Sequence, residues 1–408
     1  MNPLPAADKR RHGSGFWAVA FAFLIVMAFA TLPSPLYGLY RVRDDLSAFM
    51  ITVIYAIFAA GTIVTLLRVP YIGARLGRRG VMLAAVGMMM VAAGVLVAWK
   101  DLPGLLVGRL LTGVSVGLAA GTAITYLVEL WLRADPNASV VRARTIATSV
   151  NVGALGVGPL IAGCLAEWGS NPLTVPYLVF LALGLVALIG VASAPETGAP
   201  APQAPAVQPT TPRRRSRLPI PAAAATLSAF SAMGLFAGLA GLFLATTLGH
   251  PSHALSGATL FLVFSCGVAS QLATAKLPAS RVLALGTVSM LAGLVLLVVS
   301  VRLSSPSLPL FLVGGALIGA GAGAVFKGTT LLVLEASAPE DRLAMNSDLL
   351  IALFVGLSAP VIGAGIALDR GASAPNTVLV FAILVGVGVA ASGLELLGRG
   401  RKTAKQPA

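Results

Sequence analysis

The chain has 408 residues, of which 57% are hydrophobic and 10% charged, with a mean hydropathy of +0.92. A soluble domain carries about 25% charged residues to clothe its core, so a soluble enzyme is excluded, as are a disordered chain and a disulfide scaffold. The net charge of +14 would suit nucleic acid in a soluble protein, but no aromatic residues interleave the basic clusters, and basic residues collect in the cytoplasmic loops of membrane proteins.

Apolar runs long enough to span a bilayer occur near 16–38, 48–68, 81–99, 104–130, 146–166 and 174–193. Six more follow at 222–248, 254–275, 281–301, 308–334, 344–368 and 377–396. The first run is too long for a signal peptide, contains Pro33 and Pro35, and leads to no cleavage site. With the N-terminus inside, 21 of the 28 basic residues fall on the inner side and five on the outer, so both termini are expected in the cytoplasm. Two basic residues, Arg109 and Lys327, remain inside spans. Trp17, Trp99, Trp131 and Trp168 fall at span ends, where an interfacial aromatic belt places them. Cys164 and Cys266 lie inside apolar runs as packing residues. His12, His250 and His253 are expected in loops, so no His-based metal site is readable, and no cofactor is expected.

The stretch 194–221, rich in Pro and Ala and closing on Arg213, Arg214, Arg215 and Arg217, is expected as a solvated cytoplasmic linker. It separates an N-terminal six-helix half, 1–193, from a C-terminal half, 222–408, with a short basic tail. The halves repeat. An offset of 206 pairs Gly113 with Gly319, Gly117 with Gly323 and Glu129 with Glu335, and further on Pro159 pairs with Pro360. Repeated halves are a signature of secondary transporters, whose substrate site lies at the midplane.

Three local motifs complete the pattern. PYIGARLGRR, 70–79, separates the second and third spans; R-L-L-T-G runs from Arg109 to Gly113; NVGALGVGPLIAG covers 151–163. With the span count and linker position, these resemble the major facilitator superfamily over nearly the whole chain. The resemblance implies an all-α membrane fold of twelve helices in two pseudo-symmetric halves. In the loop motif Arg75, Gly77, Arg78 and Arg79 match, while Pro70 and Ala74 replace its first Gly and its Asp. That Asp helps latch the cytoplasmic side in the family. The Arg of the second motif is implicated there in proton coupling; its other reading here is a bond to backbone carbonyls of a neighbouring helix. The third resembles the motif of proton-coupled antiporters, the exporting branch, with Gly158, Pro159 and Gly163 matching and Gly153 and Ala162 departing. Unlike many drug exporters of the family, the first span has no carboxylate, which leaves Glu129, Glu335 and Asp348 as coupling candidates.

By the same analogy Tyr37, Tyr55, Phe58, Tyr126, Asn151, Phe230, Phe236, Gln271 and Phe326 line the substrate cavity. Aromatics and amides with little charge suit a neutral or cationic small molecule. No phosphate-binding loop or nucleophile–base pair is present, which argues against an ATP-driven pump or an enzyme. The expected protein is a monomeric exporter of the bacterial inner membrane, partnered by the lipid bilayer, a small-molecule substrate and candidate protons, and not by nucleic acid. A metabolite importer or uniporter, or a receptor or scaffold that has lost transport, are the alternatives. Two ion pairs are expected: Arg75 or Arg78 with Glu129, and Lys327 with Asp348.

Overall fold

In hydrocarbon a long apolar run satisfies its backbone amides as a helix. The computed structural model describes residues 6–197, 218–338 and 341–403, and among these it has helices and no strand. Twelve of the helical spans are long and apolar enough to cross a membrane. The first comprises α1 (Ala6–Thr31), a 3-10 turn (Ser34–Leu36) and α2 (Tyr37–Asp44). Helix α3 (Ala48–Ala98) carries the second and third. The other nine are α4 (Leu102–Ala134), α5 (Val140–Trp168), α6 (Val175–Ser193), α7 (Ile220–Thr246), α8 (His253–Ala273), α9 (Ala279–Arg302), α10 (Leu308–Ala336), α11 (Arg342–Asp369) and α12 (Ala374–Thr403).

Some boundaries differ from the expected ones, each for a local reason. Pro33 and Pro35, which have no N–H, break the first span into two helices. The stretch 70–79, expected as a loop, stays helical until Gly77, whose φ of 71° and ψ of 178° end one helix and start the next. Helix α1 begins at Ala6, ahead of the apolar run, so His12 is helical and Trp17 lies well inside the helix. His253 opens α8 and does not lie in a loop.

The chain packs as two units. One is Met1–Pro33, Ile57–Ile161 and Trp168–Arg214; the other is Ser34–Ala56, Ala162–Glu167 and Arg215–Ala408. In the first, α1 packs on α4 and α6. Phe29 of α1 meets Tyr177 and Phe180 of α6 at ring-centroid distances of 6.3 and 6.0 Å. Helix α4 lies so close to α3 that a Cβ on Gly113 would stand 2.8 Å from the carbonyl carbon of Phe58. Gly117 and Gly121 continue that stripe against Thr62, Thr65 and Val69.

In the second unit, α10 packs on α9, α8 and α7, and α11 on α7. A Cβ on Gly319 would stand 2.8 Å from the carbonyl carbon of Val263, and one on Gly323 2.9 Å from that of Gly267. The residues that the repeat pairs, Gly113 with Gly319 and Gly117 with Gly323, thus do the same job within each unit. They let the fourth helix of a half touch the backbone of its second.

Candidate transport site

The loop motif of the first unit becomes a bend with a bound acid. Because Gly77 interrupts α3, the amides of Arg78 and Arg79 begin a new helix and have no intrahelical acceptor. Glu196 supplies one: its Oε1 accepts from Arg78 N and its Oε2 from Arg79 N, each at 2.9 Å. A Cβ on Gly77 would stand 2.8 Å from that carboxylate, so glycine is required there for space as well as for its φ. Four residues beyond α6 are fastened around this point. Tyr126 Oη donates to Pro195 O at 2.7 Å, Arg133 donates to the carbonyls of Glu196 and Thr197, and Thr197 Oγ1 donates to Glu129 Oε2 at 2.6 Å. The expected ion pair is present, Arg78 to Glu129 at 3.5 Å. Arg75 is exposed and makes no ion pair among the described residues. The start of the expected linker, 194–197, is therefore folded onto this unit, while 198–217 lie outside the described residues. Tyr126, expected on a cavity wall, is fully buried with its hydroxyl on Pro195.

Deeper in the same unit, Arg109 of α4 and the backbone of α5 meet the broken end of α1. A helix leaves its last carbonyls without partners. Arg109, 1% exposed, donates from a guanidinium nitrogen to Ala30 O at 2.7 Å and lies 4.7 Å from the centroid of the Phe58 ring. Pro159 has no N–H to give Leu155 O, four residues back, and Thr31 Oγ1 donates to that oxygen at 2.7 Å. Next to it, a Cβ on Gly158 would stand 2.6 Å from the carbonyl carbon of Ala28 and 3.0 Å from its Cα. Gly158 and Pro159 thus form a joint in which α5 rests on the backbone of α1. Asn151, one helical face up α5, has a buried Oδ1 with no hydrogen-bond partner.

In the second unit the expected pair of Lys327 with Asp348 does not form. Lys327 Nζ donates instead to Gln271 O at 2.7 Å and to Thr274 Oγ1 at 3.3 Å. Gln271 lies in the last turn of α8, where carbonyls lack partners and carry the negative end of the helix dipole, so a cation finds compensation there without a carboxylate. Phe230 meets Phe326 edge to face at 5.3 Å, and Phe236 meets Phe311 at 5.2 Å. Phe230 and Phe236 are buried, as are Tyr37 and Tyr55, the last against Gly238 of α7.

Comparison with known proteins fits this architecture. The profile of the Major Facilitator Superfamily matches residues 19–278. The chain belongs to the major facilitator superfamily. A solved structure of a mutant of the nucleoside transporter NupG is similar in fold, with a TM-score of 0.70 at 10% identity, covering 94% of this chain and 99% of that one. A sequence search of curated proteins gives no match. Against the superfamily's loop motif, the departure at Ala74 now has a counterpart. Ala74 is exposed, and the acid that reaches the bend is Glu196, 118 residues from Arg78. Sequence reading missed it; the available signal was a lone acid three residues after the sixth span ends.

Proposed function

We propose that this member of the superfamily is a monomeric secondary transporter of the bacterial cytoplasmic membrane, with both termini cytoplasmic, that exports small neutral or cationic organic molecules by alternating access. Protons are the candidate exchange partner, and the protein is a transporter and not an enzyme. The observation that carries the export reading is the joint at Gly158 and Pro159, where α5 crosses α1 without side chains between them and the carbonyl that proline orphans is held by Thr31. Asn151 Oδ1 adds a buried acceptor for a substrate's N–H or O–H. Coupling falls to Asp348, Glu129 or Glu335, since the apolar run 16–38 of the first span has no acid.

Direction is tested with everted membrane vesicles offered a panel of fluorescent amphiphiles and metabolites. Accumulation that stops when the proton gradient is collapsed supports export in exchange for protons. Accumulation only in right-side-out vesicles makes the protein an importer. Absence of flux in proteoliposomes for every compound that shifts the thermal midpoint makes it a receptor.

A further inference from the structure

Two strips of first-half sequence, Ser34–Ala56 and Ala162–Glu167, pack in the second unit. Each is tied there by a carboxylate on a helix N-terminus. Glu167, in the last turn of α5, accepts at Oε2 from His253 N at 2.7 Å, Ala254 N at 3.3 Å and Ser252 Oγ at 3.2 Å. These amides open α8, and Ser252 caps the same turn by accepting from Leu255 N. Asp369, the last residue of α11, accepts at Oδ2 from Phe49 N at 3.1 Å, the second residue of α3. First-turn amides have no intrahelical acceptor and form the positive end of the dipole, so a carboxylate is their natural partner.

The surroundings repeat as well. One turn before each acid is a glycine pressed on the helix that the acid caps. A Cβ on Gly163 would stand 3.1 Å from the carbonyl carbon of His253 and 3.2 Å from the Cα of Gly257. One on Gly365 would stand 2.8 Å from Thr52 Cγ2 and 3.1 Å from the Cα of Phe49. The same offset of 202 relates Gly163 to Gly365 and Glu167 to Asp369. The end of α5 on the start of α8, and the end of α11 on the start of α3, are one device built twice. Twelve spans put both termini on one membrane face, and all four of these helix ends on the other. Both carboxylates are exposed, and Asp369 borders an open cleft with Arg41, Asp45 and Ser47, so water reaches the contact. A contact made and broken in every cycle needs that weakness.

We propose that Glu167 and Asp369 are paired latches that hold closed the membrane face opposite the termini, and that both release when that face opens. The proposal deepens the alternating-access reading and rests on it. The test reads distances, not flux. In full-length protein carrying Cys164→Ser and Cys266→Ser, spin labels at Ser170→Cys and His250→Cys report on the α5–α8 contact. Labels at Val42→Cys and Ala372→Cys report on the contact of α11; all four positions are exposed. Each of Glu167→Ala and Asp369→Ala is expected to raise the ratio of open to closed distances about two- to fivefold, the range for an exposed charge at a helix end. The double variant is expected to show roughly the product of the two. Glu167→Gln and Asp369→Asn keep the acceptor and lose the charge, and fall between if the alanine variants fail to fold. Asp44→Asn, whose carboxylate pairs with Arg43 in its own helix, leaves the ratio unchanged. Two distance populations whose ratio none of these variants moves overturn the latch. One fixed distance in every variant overturns alternating access, and the latch with it.

Discussion

Replacing Gly158 with alanine tests the joint between α5 and α1. The new Cβ would stand 2.6 Å from the carbonyl carbon of Ala28. Carbon atoms settle at ~3.5–4.0 Å, so the helices must part by roughly 1 Å. The obstacle is backbone, which cannot rotate away as a side chain end does. Overpacking of this kind costs ~1–3 kcal/mol, and backbone contact places it at the upper end. Alanine recovers up to ~1 kcal/mol of helix propensity, leaving a net loss of about 1–2 kcal/mol. Parting the helices also stretches the Thr31 hydroxyl from Leu155 O, now 2.7 Å away. The control is Gly363→Ala in α11, where an added Cβ meets nothing within 4 Å and only the propensity gain remains. Thermal unfolding in detergent is expected to show a lower midpoint for Gly158→Ala and an unchanged or raised one for Gly363→Ala. Equal midpoints for the two would refute the close crossing.

Glu196→Ala strands two first-turn amides and is expected to cost about 1–2 kcal/mol, while Glu129→Ala, which loses a half-exposed 3.5 Å pair and one hydroxyl donor, costs about 1 or less. A reversed order of thermal midpoints would count against Glu196 as the acid of this bend. Arg109→Lys keeps the charge but loses the planar group over Phe58, and is expected to lower both the midpoint and the flux per folded molecule; if both hold at wild-type values, the guanidinium geometry is unimportant. The exchange of Lys327→Asp with Asp348→Lys is expected not to rescue the single variants, because the ammonium is held by oxygens of α8. Restored flux in the double exchange would show that the two charges meet elsewhere in the cycle.

The twelve spans were legible because apolar length in a membrane leaves the backbone one solution, and the glycine pairs of the repeat were legible because helix contact requires small residues at fixed spacing. The Arg78–Glu129 pair was readable as well, opposite charges at the same end of neighbouring spans. What stayed hidden has a common cause. A bond from Arg109 to a carbonyl of a neighbouring helix was one of its two readings, but that the carbonyl is Ala30's, and that Lys327 takes Gln271's, was not legible, because a carbonyl is present at every residue and no side-chain pattern marks which one is free. A carboxylate was sought for Lys327 because only side chains can be read, and a helix C-terminus took its place. Glu196 was passed over because its surroundings, Pro and Ala in a basic linker, read as solvated; the amides it caps belong to a helix whose start depends on the φ of Gly77. Glu167 and Asp369 fall one residue past the ends of the apolar runs 146–166 and 344–368, and nothing in the sequence marks the amides they cap.

The seat of Lys327 has an electrical consequence. Its two partners, a backbone carbonyl and a hydroxyl, are neutral, so the positive charge is solvated there without being cancelled. A charge in that position feels the membrane voltage. Carrying one elementary charge through a full 100 mV amounts to ~2.3 kcal/mol, so a conformational step that moves Lys327 through a tenth of the field is biased by about 0.2 kcal/mol, a change of roughly 1.5-fold in its equilibrium. Transport of even an uncharged substrate would then run at a rate that depends on membrane potential, with the lysine as the gating charge.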